Sequence, residues 1–548
     1  MKKALITLTC LALFAVVGTC QLGGKSYTKD DTLRGSITPE RIWWDLSFYD
    51  LKVSVNPAEK YISGSNTIHY KVLSAGKTMQ IDLQPPLSID RIVQDGKELD
   101  VKKEGKNAYM VALQSEQKVG ARKSLTVYYK GKPRVANNAP WDGGFSWSKD
   151  KKGNPFVATS CQGLGSSIWW PCKDHMYDEP DSMAIAVTVP KGLMDVSNGK
   201  LRKTTENSDG TTTYDWYVKN PINNYGVNVN IGDYVHFSEE YAGEKGKLAM
   251  DYYVLRDNLA QAKTQFKQAG QMMKAFEHWF GPYPFYEDGY KLVEVPYLGM
   301  EHQSSVTYGN QYKNGYLGQD LSGSGWGNKW DFIIVHESGH EWFANNITYK
   351  DIADMWVHEG FTAYSECLFT EYYYGRDAGA AYVIGTRMNI QNDKPMIGKY
   401  KFNEEGSQDM YYKGSNLLHT IRQIVDNDVK WRDILRGLNK DFYHQTVTTQ
   451  QIEQYMVQKS GKKLQSVFDQ YLRDTKVPHF DYKLANGTLS YRWSNCVEGF
   501  DMPIKVTLEK NKYYFIYPTT EWKTLKVSNL FDDEFKVDVN FYVEANKL

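Results

Sequence analysis

The stretch 331–340 reads DFIIVHESGH and carries the strongest chemical signal in the chain. His336 and His340 are four residues apart, so in a helix both imidazoles project from one face and can bind one metal ion. Glu337 lies about 100° around the helix from His336, near enough to reach a water bound to that metal. The pattern predicts a helix that carries two metal ligands and a general base.

A third ligand follows in the stretch 355–361, MWVHEGF, at the start of the next aromatic-rich predicted helix. Eighteen residues separate His340 from Glu359 in this stretch, so the second helix can fold back on the first. Alone, Glu359 would be a carboxylate favoured by the dipole in the first turn of a helix. Two histidines and one carboxylate, however, leave the fourth position of zinc open for water, which is typical of a catalytic site. The sequence therefore predicts one catalytic Zn²⁺ per chain.

Length, charge and composition restrict the class of protein. The 548 residues predict about three or four domains. With 65 basic and 65 acidic side chains, the balanced charge argues against a nucleic-acid partner. Hydrophobic residues at 41% and charged residues at 24% exclude a wholly disordered or fibrous chain. Aromatic residues make up 14% of the chain, which suits strands and a ligand cleft.

Hydrophobic periodicity divides the chain into regions. Period-two alternation and turn residues predict an N-terminal β domain of sandwich or saddle type over 41–240. Helical patterns then dominate a catalytic domain over 241–477, and alternation returns in a small C-terminal β-sandwich over 478–548. The predicted fold class is multidomain α+β. Helices of the middle region are predicted at 257–280, 329–345, 356–373, 411–425, 449–460 and 464–475.

The N-terminus has the features of a secretory signal peptide. Two lysines precede an apolar run over 4–17, and small residues follow up to Cys20. We expect a signal peptide over 1–20, a flexible lead-in over 21–40, and export to the periplasm or the medium. Lipidation at Cys20 is the alternative, although the threonine before it fits that signal poorly. No later stretch is long enough to span a bilayer, so no integral membrane span is expected.

The cysteines outside the signal region are too few and too spread for a disulfide framework. An exported chain could bridge Cys161 and Cys172, since the compartment permits it. Buried free thiols are the other interpretation, and the sequence leaves both open.

The zinc pattern resembles a known family. HExxH, eighteen residues, and then a glutamate within WVHEGF is similar to the zinc aminopeptidases of the aminopeptidase N and leukotriene hydrolase family, which are gluzincins. The resemblance implies a thermolysin-like catalytic domain that hydrolyses the N-terminal peptide bond of peptides with a free N-terminus. It assigns His336, His340 and Glu359 to zinc and Glu337 to the general base.

A second motif extends the resemblance. The stretch 298–302 reads LGMEH where the family has Gly-Ala-Met-Glu-Asn. The resemblance implies that Glu301 binds the α-amino group of the substrate, and that Gly299 and Met300 line the substrate site. A carboxylate held at a fixed distance from the metal pairs with the substrate ammonium, and this places the peptide bond after the first residue at the metal. His302 departs from the family asparagine.

Two weaker motifs complete the predicted site. The stretch 411–414, YYKG, matches the family pattern Tyr-x-Lys-Gly, which implies that the Tyr411 hydroxyl stabilises the developing oxyanion. The stretch 160–162, SCQ, stands where the family has Gln-Cys-Gln or Gln-Cys-Glu, and implies that Gln162 adds a contact to the substrate amine. Asp354 and Glu366 are candidate acids for orienting the histidine ligands, with helix-surface positions as the alternative.

Other functions compete with the aminopeptidase interpretation. A gluzincin endopeptidase would share the zinc residues and lack the amine anchor, so Glu301 discriminates between the two. Epoxide hydrolysis is known in one branch of the family. A non-catalytic binding scaffold would not need the complete set of catalytic residues. The sequence predicts neither the oligomeric state nor the preferred N-terminal residue.

Overall fold

The computed structural model of the protein describes residues 26–527 and 530–548. The predicted signal peptide, including Cys20, lies outside the described residues. In the part of the chain that is described, no helix is long and apolar enough to cross a membrane.

The stretch 26–40 differs from the predicted flexible lead-in. Helices α1 and α2 span Lys29–Gly35 and Pro39–Ile42. Thr28 and Asp31 form a capping box at the start of α1. The prediction of a flexible segment rested on the polar composition and did not take this helix-start motif into account. Arg41 is fully buried, and its Nη2 lies 2.7 Å from Oδ2 of Asp82. The expectation of flexibility is corrected here, because the arginine anchors this stretch inside the N-terminal domain.

The N-terminal domain consists of three sheets that share one hydrophobic core. An eight-stranded sheet has the order β13-β14-β11-β1-β2-β8-β4-β5, a three-stranded sheet β3-β7-β6, and a four-stranded sheet β12-β15-β10-β9. The strands are β1 Trp44–Asn56, β2 Tyr61–Val72, β3 Gly76–Asp82, β4 Ser88–Gln94, β5 Lys97–Glu98, β6 Asp100–Glu104, β7 Ala108–Gln117, β8 Arg122–Gly131, β9 Gly144–Lys149, β10 Pro155–Ser160, β11 Ser182–Pro190, β12 Met194–Val196, β13 Lys200–Glu206, β14 Thr211–Val218 and β15 Asn230–Gly232. Cys161 and Cys172 lie in this core as free, buried thiols.

The catalytic domain opens with a five-stranded sheet in the order β16-β17-β18-β20-β19. Its strands are β16 Tyr234–Gly243, β17 Gly246–Leu255, β18 Tyr290–Glu294, β19 Gly299–Met300 and β20 Val306–Tyr308. The sheet begins at Tyr234, so the boundary predicted between 240 and 241 falls inside β16. Strand β19 forms the edge of the sheet and pairs antiparallel with β20, with Met300 opposite Thr307.

The helices of this domain are α3 Leu259–Gln265, α4 Lys267–Phe280, α5 Phe332–Gly339, α6 Trp356–Tyr374, α7 Arg376–Gly385, α8 Tyr412–Val425, α9 Asp428–Asp441, α10 Thr449–Ser460 and α11 Gln465–Arg473. A small parallel pair joins β21 Ile347–Tyr349 and β22 Gln445–Val447. The sequence missed α7 and α9 and predicted α5 too long. Helix α5 ends at Gly339 with His340 as its C-cap, and the backbone leaves the helical region a few residues later, at Phe343 and Ala344.

The C-terminal region contains β23 His479–Ala485, β24 Thr488–Ser494, β25 Ile504–Glu509, β26 Lys512–Ile516, β27 Lys523–Lys526 and β28 Glu544–Lys547. Four strands form the sheet β27-β24-β23-β28, and β25 pairs with β26 in a separate hairpin. Apolar side chains such as Phe480, Trp493 and Ile504 belong to the same core as the catalytic helices. A region of this length has little room for a core of its own, and it packs onto the catalytic domain.

Candidate active site

Helix α5 presents the two predicted histidine ligands to Glu359 on α6. Asp331 begins α5 as its N-cap, where its carboxylate accepts from two backbone amides. Nε2 of His336 lies 3.8 Å from Oε2 of Glu359, and Nε2 of His340 lies 3.3 Å from the same oxygen. Ligand atoms bound tetrahedrally to zinc are about 3.3 Å apart. Oε2 of Glu359 is buried without a hydrogen-bond partner in the described residues, which fits an oxygen that awaits a metal.

Contacts to the opposite ring nitrogens orient both histidines. Nδ1 of His336 lies 2.7 Å from Oε1 of Glu366, and Nδ1 of His340 lies 3.1 Å from the carbonyl oxygen of Phe343. Acceptors at Nδ1 hold the proton there and leave Nε2 free to bind a metal. The hydroxyl of Tyr382 donates to the other Glu366 oxygen at 2.6 Å, a contact that the sequence did not predict.

Asp354, the other candidate for orienting a ligand, has different partners. Its Oδ1 accepts from the hydroxyls of Tyr400 and Thr449, each at 2.5 Å. The contacts that the structure gives this carboxylate therefore include neither histidine ligand. Of the two candidate acids, the structure places only Glu366 against a ligand.

Glu337 projects from the same helix into the space in front of the ligands. Burial raises the pKa of this carboxyl, and the nearby Glu301 carboxylate acts in the same direction. Gly299 lets strand β19 approach Glu337 closely, because a Cβ at Gly299 would lie 3.3 Å from Cγ of Glu337 and 2.6 Å from the Ile333 side chain.

The predicted amine anchor lies beside the metal ligands. Nε2 of Gln162 donates to Oε1 of Glu301 at 2.6 Å and to Oε1 of Glu359 at 3.1 Å. Burial raises the pKa of Glu301, so this carboxyl would gain from a cationic partner. Asn345 donates its side-chain amide to the Glu301 carbonyl at 2.8 Å and fixes the backbone there. His302 is buried, and burial lowers its pKa to about 3, so its ring is neutral.

Tyr411 completes the wall of the cleft at the start of α8. Its ring packs against that of His336 with the centroids 6.0 Å apart. Burial raises the pKa of the Tyr411 hydroxyl well above its usual value, and the carboxylates of Glu359 and Glu301 add to this effect. The hydroxyl therefore keeps its proton and can donate a hydrogen bond.

One cleft contains all nine residues that the sequence predicted for metal binding, catalysis and substrate binding. These residues are Gln162, Gly299, Met300, Glu301, His336, Glu337, His340, Glu359 and Tyr411. Further residues that the sequence did not single out also line it: Pro140, Trp141, Gly163, Met355, Glu405 and Gln408. Those residues lie in loops and irregular segments, where spacing carries no signal.

Family models match both of the larger domains. The Peptidase M1 N-terminal domain matches residues 46–225, and the Peptidase family M1 domain matches residues 264–471. The chain belongs to the M1 peptidase family. This M1 chain is also similar to leukotriene A-4 hydrolase of Xenopus laevis, with 22% identity over 506 residues that cover 84% of this chain and 77% of that protein.

Endoplasmic reticulum aminopeptidase 1 of Mus musculus is 23% identical over 309 residues, which cover 53% of the M1 chain and 32% of the mouse protein. The M1 chain thus spans about a third of the length of that relative. An M1 zinc metallopeptidase from Deinococcus radiodurans has a similar fold, with a TM-score of 0.68 at 21% identity, covering 81% of this chain and 97% of the other. The predicted multidomain α+β fold and the family resemblance are confirmed.

Proposed function

We propose that this protein is a zinc-dependent aminopeptidase that removes the first residue from peptides with a free N-terminus. One observation carries the proposal: Gln162 bridges Glu301 and the metal ligand Glu359 within hydrogen-bond distance. The carboxylate of Glu301 also lies within 4.8 Å of the ligand atoms of Glu337 and His340, so a substrate ammonium bound there would be adjacent to the metal. An endopeptidase would not need a buried carboxylate beside the metal ligands to bind a substrate ammonium.

The donor set fits zinc. Two imidazole nitrogens and one carboxylate oxygen converge, and both histidines are oriented through Nδ1. His336, His340 and Glu359 would hold the ion and leave one position open. Bound there, Zn²⁺ would polarise the scissile carbonyl and lower the pKa of a water molecule.

The side chains around the ligands supply the remaining functions. Glu301 and Gln162 bind the substrate ammonium and fix the position of the first peptide bond. Strand β19, with Gly299 and Met300, forms the edge of the sheet, where an extended peptide could add as a further strand. The peptide would therefore lie along the sheet edge with its N-terminus against Glu301.

Glu337 is the residue that transfers the proton. It accepts a proton from water as the water oxygen bonds to the carbonyl carbon, and it returns this proton to the leaving amine as the C–N bond breaks. The Tyr411 hydroxyl donates a hydrogen bond to the carbonyl oxygen as negative charge develops there. The products are one free amino acid and a peptide shortened by one residue.

The names of related proteins support this substrate class. The mouse relative is an aminopeptidase, and the Deinococcus metallopeptidase has been solved bound to a Tyr-Ser-Ala substrate. The export that we propose rests on the lysines and the apolar run of residues 1–20. Mass spectrometry of the N-terminus of the mature protein tests that export, since removal of 1–20 leaves Gln21 first.

Aminoacyl amide hydrolysis tests the function. The purified protein should cleave fluorogenic aminoacyl amides, lose this activity with a zinc chelator, and ignore the same substrates after N-acetylation. Glu301→Gln should lower kcat/KM roughly 10- to 100-fold, because it removes the charge opposite the ammonium. Glu287→Gln, at an exposed position outside the cleft, should match the wild type. Unchanged aminoacyl amide turnover in Glu301→Gln, or cleavage of acetylated substrates, would refute the proposal.

A further inference from the structure

The cleft contains more carboxylates than metal binding, amine binding and proton transfer account for. Four carboxylates line it, those of Glu301, Glu337, Glu359 and Glu405. Within residues 26–527 and 530–548, no lysine or arginine lines the cleft. A bound Zn²⁺ and one substrate ammonium would supply three positive charges to a cleft with these four carboxyl groups. Glu405 has no part in the metal site, the amine anchor or proton transfer.

The carboxylate of Glu405 accepts a hydrogen bond from a neighbouring amide but forms no close ion pair in the described residues. Its Oε1 accepts from Nε2 of Gln408 at 3.0 Å, and its side chain is half-buried. Among the described residues, no lysine or arginine forms an ion pair with it within 4.0 Å. Burial raises the pKa of Glu405, the Lys394 ammonium acts against this shift, and Glu359 adds to it. The pKa stays above its usual value in the presence of Lys394, so this carboxylate would gain from a further cation brought by the substrate.

Contacts of the same segment place Glu405 on the side of the cleft that carries Gln162 and Gly163. Asn403, two residues before it, donates its side-chain amide to the Gly163 carbonyl at 3.0 Å. Gly163 follows Gln162, which pairs with the amine anchor. The segment with Glu405 is thus attached to the side of the cleft where the proposed function puts the substrate N-terminus, and the side chain of the first residue would lie within its reach.

We propose that Glu405 selects substrates whose first residue carries a basic side chain, arginine or lysine; this inference rests on the aminopeptidase function. The buried thioether side chains of Met300 and Met355 in the same cleft can pack against the aliphatic stem of such a residue. Trp141, 63% exposed on the cleft wall, offers an aromatic face to a guanidinium.

Arginyl and citrullinyl amides test the proposal, because citrulline has nearly the shape of arginine without its charge. The wild type should cleave the arginyl amide with a kcat/KM roughly 10- to 100-fold higher than that of the citrullinyl amide. Glu405→Gln should reduce this ratio to about threefold or less. Glu404→Gln is the matched control, since the neighbouring Glu404 accepts from the Tyr27 hydroxyl and does not line the cleft; it should keep the wild-type ratio.

The leucyl amide separates failure of this inference from failure of the proposed function. A wild type that cleaves the leucyl amide but treats the arginyl and citrullinyl amides alike would overturn the role of Glu405 and leave the aminopeptidase standing. A Glu405→Gln variant that keeps the wild-type ratio would overturn it as well. A wild type that cleaves none of the three amides would instead refute the aminopeptidase function.

Discussion

Replacing Glu366 should weaken zinc binding although this residue is not a ligand. Its Oε1 lies 2.7 Å from Nδ1 of His336, both side chains are buried, and Tyr382 holds the second oxygen at 2.6 Å. An acceptor of this kind fixes the ring and makes Nε2 more basic, and its loss typically weakens metal affinity 10- to 100-fold. This range corresponds to about 1.4–2.7 kcal/mol. We expect roughly tenfold weaker binding for Glu366→Gln and roughly hundredfold for Glu366→Ala.

Competition with a chromophoric chelator measures the zinc dissociation constant directly and does not depend on turnover. Asp354→Asn is the matched control, because Asp354 is another buried acid whose partners are Tyr400 and Thr449. Its zinc affinity should equal that of the wild type. A Glu366→Ala protein within twofold of the wild-type zinc affinity, or an equal loss in Asp354→Asn, would refute the reasoning.

Two further changes test the geometry of the cleft. Gly299→Ala places a methyl group 2.6 Å from the side chain of Ile333, which should destabilise the fold by about 1–3 kcal/mol and lower the thermal unfolding midpoint. Gly270→Ala is the control, because its new methyl group has no neighbour closer than 4.0 Å, so its unfolding midpoint should not fall below that of the wild type. A Gly299→Ala protein whose midpoint equals that of the wild type would contradict the clash. Tyr411→Phe should lower kcat roughly 10²- to 10³-fold with little change in KM, since the lost hydrogen bond acts on the transition state. Steady-state kinetics check this, and a kcat within fivefold of the wild type would rule out the role in oxyanion stabilisation.

The candidate zinc ligands could be predicted from the sequence because their geometry is local. The helix period alone brings His336 and His340 to one face, and the return of α6 brings Glu359 to them. Glu366 follows Glu359 by two helical turns and so projects from the same face of α6. The helical period, the spacing to Glu359 and the family resemblance together predicted the three proposed ligands, and the structure places Glu366, one of the two candidate acids, against His336.

Contacts made by irregular segments could not be predicted from the sequence. Tyr382 reaches Glu366 from α7, a helix that the sequence did not reveal, since its alanines and glycines give a weak apolar pattern. Glu405 lies in a segment without regular structure, where no period fixes the direction of a side chain. The lead-in was misread because a polar composition outweighed the capping box at Thr28.

That lead-in has a mechanical consequence for the two large domains. Its arginines hold it to the N-terminal domain, for example Arg34 to Asp174 at 3.3 Å, while the Tyr27 ring stacks on Phe402 with centroids 4.0 Å apart. Phe402 belongs to the segment that carries Glu405. The lead-in therefore adds a contact between the domains to those already made by side chains such as Gln162, which donates to Glu301. A segment that contacts both domains would resist their separation, and the width of the opening between them would then depend on the lead-in as well as on the residues that line it.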